Sequence, residues 1–415
     1  MGAIQVSWLD LSSEQMAEAR AHLQGAKDEG VVDELGFGVL QGAIADVLYP
    51  GVNTIMTRAR YFYFIPALLD RLERDFSRGD FARKARERQA SLSQVLKVSE
   101  PLLGSGVIGR DSGAALQRMP SNIYWTGMRK LGLFLHPLSE SAYQLQVMEG
   151  RLARKVVKDD DHSAHPGGDD APFWDVARPP PEFLDEDGNV LASTTFQLTR
   201  REAKDLARRF TLQREEALNH GSLLPVLIDE PSGADFAWPW DVPVPESGLA
   251  RLLDEAKCLS ALARGMGLLY VALLLEKRQS EGLEVPDLDL PEFCEEWLGT
   301  VRPGFEAWDF TAAMAHPVIC RGRRPHDERE LGEFLKRCLG VSSGAALLRD
   351  PVARDVVSRR ERRIKRYKSR LQSVRQLKEW RPPTSAGLAS PYELSFRHRT
   401  GKQMAWDIRE GLGRS

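Results

Sequence analysis

The chain of 415 residues has only four cysteines, Cys258, Cys294, Cys320 and Cys338, and no two form a Cys-x-x-Cys pair. That scarcity excludes a disulfide-stapled scaffold and reads as reduced thiols in a cytosolic protein. His316, Cys320, His326 and Cys338 lack the closely spaced ligand pairs of a zinc site, so no metal is assigned. Charge of one sign is also missing overall. Lys and Arg total 57 against 59 Asp and Glu, a net of −2, which excludes a uniformly basic coat but not a local patch. The longest apolar run, Gly265 to Leu275, lies between Arg264 and Glu276 and falls short of the roughly 20 residues that span a bilayer. Asp10, Glu14 and Glu18 interrupt the first twenty residues as no secretory leader would allow, so a cytoplasmic location without membrane association is expected. There is no G-x-x-x-x-G-K-[ST] and no H-E-x-x-H, and the motifs read here assign no reaction and no cofactor.

What is present is an ordinary globular mixture, 42% apolar and 28% charged, long enough for several domains. The expectation is a mainly α, multi-domain helical protein with an acidic linker and a long basic C-terminal helix. Residues 1–157 form the first region. In it Ile55, Ala59, Phe62, Ile65, Leu69, Leu72 and Phe76 trace one helix face, with Pro66 expected to kink it. Residues 158–192 carry ten acids against Lys158 and Arg178, a local net of −8, and Gly167-Gly168 and Pro179-Pro180-Pro181 break any period. Phe173, Trp174 and Phe183 offer anchors for that linker. Residues 193–343 form a central helical domain. Thr199-Arg200-Arg201-Glu202 reads as a capping box, and Trp238 and Trp240 in a proline-rich loop read as plugs at a core edge. From Ser247 the apolar positions Leu249, Leu252, Ala256, Leu259, Ala263, Met266, Tyr270 and Leu273 predict a helix about 45 Å long, buried from several sides. Gly265 and Gly267 allow a close crossing there.

Residues 344–415 hold the positive charge. Between Arg349 and Arg381 thirteen Lys and Arg face four acids, a local net of +9. Arg359, Arg360, Arg362, Arg363, Lys365, Arg366, Lys368 and Arg370 make eight of twelve consecutive residues basic, on what reads as one long helix. Val352, Val356, Ile364, Tyr367, Leu371, Val374 and Leu377 mark its apolar stripe. Such a helix suits the phosphate backbone of DNA, where Lys and Arg contacts release counterions with little regard to sequence. An acidic protein partner, or a merely solvated or self-neutralised face, are the alternatives.

Gly104 to Gly109 spells G-x-G-x-x-G, but Pro101 precedes it and no parallel-strand pattern surrounds it, so it reads as a helix junction. Beyond it, Ser112–Met119 and Asn122–Phe134 resemble a helix-turn-helix, with Arg118, Arg129 and Lys130 available for phosphate. A purely structural helix pair is the alternative.

Several segments together resemble one family. They are Trp8-Leu9-Asp10, Asp33-Glu34-Leu35-Gly36, Ala45-Asp46, Pro50-Gly51, Asn53-Thr54-Ile55 and Thr57-Arg58-Ala59-Arg60-Tyr61-Phe62, then Gly106 to Arg110, Pro120 to Trp125, Trp406-Asp407-Ile408-Arg409 and Gly411-Leu412. The family is an uncharacterised bacterial one, catalogued as domain of unknown function 6361. The resemblance implies a bacterial cytoplasmic protein. It also implies an association with helicase-like and phospholipase-D-type nuclease proteins in defence or mobile loci. Arg58 and Arg60, two apart on a helix, point in different directions. One is expected to pair with Asp33, Glu34 or Asp46, leaving the other for phosphate or a partner; a buried ion-pair network using both is the alternative. The resulting expectation is a non-enzymatic DNA-binding component of a bacterial defence or DNA-processing system. The rivals are a docking scaffold for an acidic protein, and a nuclease or hydrolase with a dispersed site.

Overall fold

The computed structural model describes residues 33–75, 80–110, 118–160, 172–175, 182–215, 220–230, 235–245, 247–384 and 393–414, with the backbone alone at 151–160 and 220. Trp8-Leu9-Asp10, Phe76 and Ser112–Gln117 lie outside these residues, as do 161–171 and 176–181 of the acidic stretch.

The fold is mainly α. Sixteen α-helices follow one another among the described residues. The first seven are α1 (Gly38–Leu48), α2 (Tyr61–Asp75), α3 (Phe81–Ser99), α4 (Pro120–Lys130), α5 (Glu140–Asp160), α6 (Arg200–Thr211) and α7 (Leu223–Asp229). Then come α8 (Gly248–Ser280), α9 (Leu290–Ala307), α10 (Phe310–Ala315), α11 (Pro317–Gly322), α12 (Asp327–Gly340) and α13 (Gly344–Arg349). The last three are α14 (Pro351–Lys365), α15 (Val374–Glu379) and α16 (His398–Leu412). One antiparallel ladder pairs Arg214 with Gly221 and Glu215 with His220. Helix starts follow local chemistry. Thr199 and Glu202 form the reciprocal capping box, and Asp80, Asp289, Asp309, Ser343, Asp350 and Ser373 each accept an orphan amide from the first turn of a helix. Pro120, Pro317 and Pro351 occupy first turns, where the missing N–H costs nothing.

The chain forms two compact units, each assembled from two separated stretches: Met1–Ile44 with Leu252–Ser395, and Ala45–Arg251 with Phe396–Ser415. In the first unit α8 is the spine. It is long and apolar enough by composition to cross a membrane, yet 72% of its most apolar window is buried inside the protein. Gly265 leaves room for the Trp297 indole of α9, whose Nε1 donates to the Ala261 carbonyl at 3.1 Å. A Cβ at Gly344 would run into the backbone of Cys294 and Glu295, so α13 and α9 meet at van der Waals distance.

The second unit is built on aromatic rings. Tyr61, Phe62 and Phe64 on α2 meet Tyr124, Phe196, Phe210 and Phe183, with several ring pairs edge-to-face. Trp125, Phe134, Tyr143 and Trp174 form a second cluster, so the anchor expected of Trp174 is real. Each fully buried ring removes apolar area worth about 1.5–3 kcal/mol, and the edge geometry adds roughly 0.5–1.5 kcal/mol per pair. Trp238 and Trp240 stack at 5.2 Å, and Trp240 abuts Phe396.

Two helical expectations need correction. The face traced from Ile55 becomes helical only at Tyr61. The amides before it are claimed by side chains: Ile55 and Met56 donate to the Asn53 Oδ1, Thr57 and Arg58 to the Tyr124 hydroxyl, and Ala59 to Asp407. Nor is there one long basic C-terminal helix. α14 ends at Lys365, Arg366 takes φ 52°, a single 3-10 turn covers Arg366–Lys368, and helix resumes only at Val374.

Candidate nucleic-acid interface

α14 explains why the basic tract splits into two populations. Its buried face carries Ala353, Val356 and Val357 together with Arg360 and Glu361, both fully sealed from solvent. A buried guanidinium needs matching charge and acceptors. Arg360 Nη1 donates to Asp327 at 2.7 Å and to Glu330 at 3.0 Å, Nε donates to the Leu35 carbonyl at 2.6 Å, and the group lies 4.8 Å from the centre of the Phe37 ring. Arg363 pairs with the same Glu330. Lys365 and Arg370 share the buried Glu34, Arg370 at 2.6 Å. Arg359 pairs with Asp355 at 2.7 Å and Glu333 at 3.2 Å. Five of the eight cations expected to meet phosphate are therefore occupied by carboxylates of their own unit.

Arg362, Arg366 and Lys368 differ. All three are exposed. Between the last two, Tyr367 is 83% exposed, and the Lys368 ammonium lies over its ring, 5.8 Å from the centre. This projecting loop stands on a buried carboxylate. Glu361 accepts hydrogen bonds from the Ser369 hydroxyl at 2.5 Å, the Arg370 amide at 2.7 Å and the Tyr270 hydroxyl at 3.3 Å. Ser369 is itself fully buried. The return of the chain after Lys368 is thus pinned into the core, and the three residues before it are held outward. Reading Tyr367 as part of an apolar stripe missed this, because the stripe presumes that the helix continues.

Arg118, Arg129 and Lys130 belong to the other unit. Arg118 is half-buried, while Arg129 and Lys130 are exposed in the last turn of α4, where positive charge complements the helix dipole. The inner face of α4 is core: Tyr124 and Trp125 are buried. Of the first helix expected at Ser112–Met119, residues 112–117 lie outside the described residues and Arg118 and Met119 are not helical, while the second, expected to reach Phe134, ends at Lys130.

Arg58 and Arg60 are paired, with acids other than those expected. Arg58 Nε and Nη2 reach Asp407 at 3.0 Å, Nη1 donates to the Ser105 carbonyl, and the guanidinium lies over Phe196. Burial pushes the Asp407 carboxyl up from the usual range, and the Arg58 charge opposes that rise. Arg60 meets Glu202 at 3.2 Å and the Thr195 carbonyl at 2.9 Å. Asp33 lies 3.7 Å from Arg324, Glu34 serves Lys365 and Arg370, and Asp46 binds Arg397. The two segments Thr57–Phe62 and Trp406–Arg409 close on one another, which makes Arg58 and Asp407 a structural clasp. A polar cleft of about 330 Å³ opens beside Arg60, lined also by Glu182, Phe183 and Ser193–Thr195.

Burial pushes the thiols of Cys258 and Cys294 up to about 12, and that of Cys338 higher still, keeping them protonated. Among the described residues no three His, Cys, Asp or Glu side chains come together to hold a metal ion.

Fold and surface together define a mainly α-helical protein in which five of the eight cations from Arg359 to Arg370 are matched to carboxylates, leaving Arg362 on α14 and the Arg366–Lys368 loop open. Residues 3–285 match the family of unknown function DUF6361, and the chain belongs to that family. No curated protein and no solved structure matches the chain. The loop at Arg366–Lys368 lies beyond the matched stretch.

Proposed function

We propose that this protein binds nucleic acid through Arg362, Arg366 and Lys368, as a non-enzymatic component of a bacterial defence or DNA-processing system in the cytoplasm. One observation carries the reading. In a tract where five cations are matched to carboxylates, these three are exposed and are given no carboxylate among the described residues. Charge left open on α14 and on the pinned turn after it suits a polyanion, since its contacts release counterions without ordering a mobile segment. The setting in defence or DNA processing, with helicase-like or phospholipase-D-type nuclease partners, rests on the family resemblance.

Docking of a protein partner is the second reading. It is favoured by Leu102 and Leu103, 76% and 88% exposed, on a loop laced by Arg110 to the Glu100 and Pro101 carbonyls. A mobility-shift assay with the full chain separates the two. Retardation of DNA at low salt, lost in an Arg362→Ala, Arg366→Ala, Lys368→Ala triple variant that keeps its melting temperature, supports nucleic-acid binding. No shift with any DNA, or an unchanged shift in the triple variant, overturns it.

A further inference from the structure

Tyr367 gives the loop a feature that a purely electrostatic contact would not need. It is a large aromatic ring, 83% exposed, at the summit of a turn whose two flanking residues are cations. Among the described residues the ring meets no other aromatic, and the Lys368 ammonium lies over it. The turn is not free to fold the ring back. Arg366 holds φ 52°, outside the range that bulky residues ordinarily adopt, and the next turn is tied down by Ser369 and Arg370 on Glu361.

Resting on the nucleic-acid reading above, we infer that this loop selects unpaired nucleotides: Tyr367 stacks on one base while Arg362, Arg366 and Lys368 hold the adjoining phosphates. The bases of a duplex are already stacked on one another and offer the ring no face except at an end. A single strand offers one at every position, and base–aromatic stacking tolerates any sequence. Positive charge alone would favour the duplex, whose phosphates are denser. A preference for single strands therefore has to come from the ring. Because one tyrosine supplies one stacking step, the selectivity is expected to be modest, about tenfold, with a footprint of only a few nucleotides.

The test uses the full chain and fluorescence anisotropy at one low salt concentration. Its probes are a labelled single strand of mixed sequence and the blunt duplex of the same sequence. The expected result is about tenfold tighter binding of the single strand. Tyr367→Ala should erase that preference by weakening the single strand alone, and Tyr367→Trp should restore it. Arg362→Ala should weaken both probes together. Equal affinity of the wild type for both probes, or a Tyr367→Ala variant that weakens both equally, overturns the selection of unpaired bases while leaving the electrostatic reading intact. Failure of both probes to bind overturns the nucleic-acid reading and this inference with it.

Discussion

Acidification should loosen the second unit through a single imidazole. His398 opens α16 and is 2% exposed. Its Nδ1 meets the hydroxyl of the fully buried Tyr49, and its Nε2 lies 3.1 Å from the Phe236 carbonyl. Because a carbonyl only accepts, Nε2 carries the proton and Nδ1 accepts from Tyr49, so the ring fits here in its neutral form. Burial lowers its pKa from the ordinary 6.5 to about 4. The Phe236 carbonyl, Asp241 and Asp235 oppose that fall, and Lys402 reinforces it. The unfolded chain therefore takes up the proton first as pH falls. The contribution is intact above about pH 6.5 and is lost progressively down to about pH 4. At 1.36 kcal/mol per unit, the total loss approaches about 3 kcal/mol, of which about 2 kcal/mol is gone by about pH 5. For a unit of this size that corresponds to a melting temperature lower by roughly 4–8 °C. Calorimetry of the wild type and His398→Gln at pH 7 and pH 5 isolates the effect, because carboxylates and other histidines titrate in both. The wild type should lose this much more than the variant on going to pH 5. Parallel pH profiles, or an imidazole that titrates near 6.5 by NMR in the folded protein, would refute the reasoning.

Two further substitutions probe the packing. Arg360→Ala removes the buried cation between Asp327 and Glu330, leaving Glu330 to Arg363 alone, and should cost about 3–5 kcal/mol in denaturant unfolding, whereas Arg362→Ala should stay within about 0.5 kcal/mol. Equal effects of the two would contradict the division of the tract into sealed and open cations. Gly265→Ala drives a methyl group into the Trp297 indole and should destabilise the first unit by about 1–3 kcal/mol, with a change in tryptophan fluorescence.

Local chemistry was legible where neighbours in sequence decide it. The Thr199–Glu202 box caps α6 as its spacing predicts, and the apolar positions from Leu249 to Leu273 do mark the spine α8. Pro66 does lie within α2, whose buried face carries Phe62, Ile65, Leu69 and Leu72 as the apolar spacing predicts. Partners far along the chain were not legible. Asp407 lies 349 residues from Arg58, and Glu34 lies more than 330 from Arg370; no spacing rule reaches that far. The grouping of Met1–Ile44 with Leu252–Ser395 is hidden from composition for the same reason. The tail was misread because a basic run without proline or glycine has good helix propensity, and propensity ignores a buried Glu361 that can outcompete the helix for Ser369 and the Arg370 amide. The same error concealed Tyr367, the one exposed aromatic among these cations.

Binding of short DNA to the full chain across a salt series tests the central claim most directly. Three open cations predict a slope of log affinity against log salt of about −2.7 on duplex and about −2 on single strands, falling toward zero in the triple alanine variant. A slope near about −7, the value for all eight cations in contact, would contradict the division of the tract, and affinity that does not change with salt would contradict phosphate contact altogether.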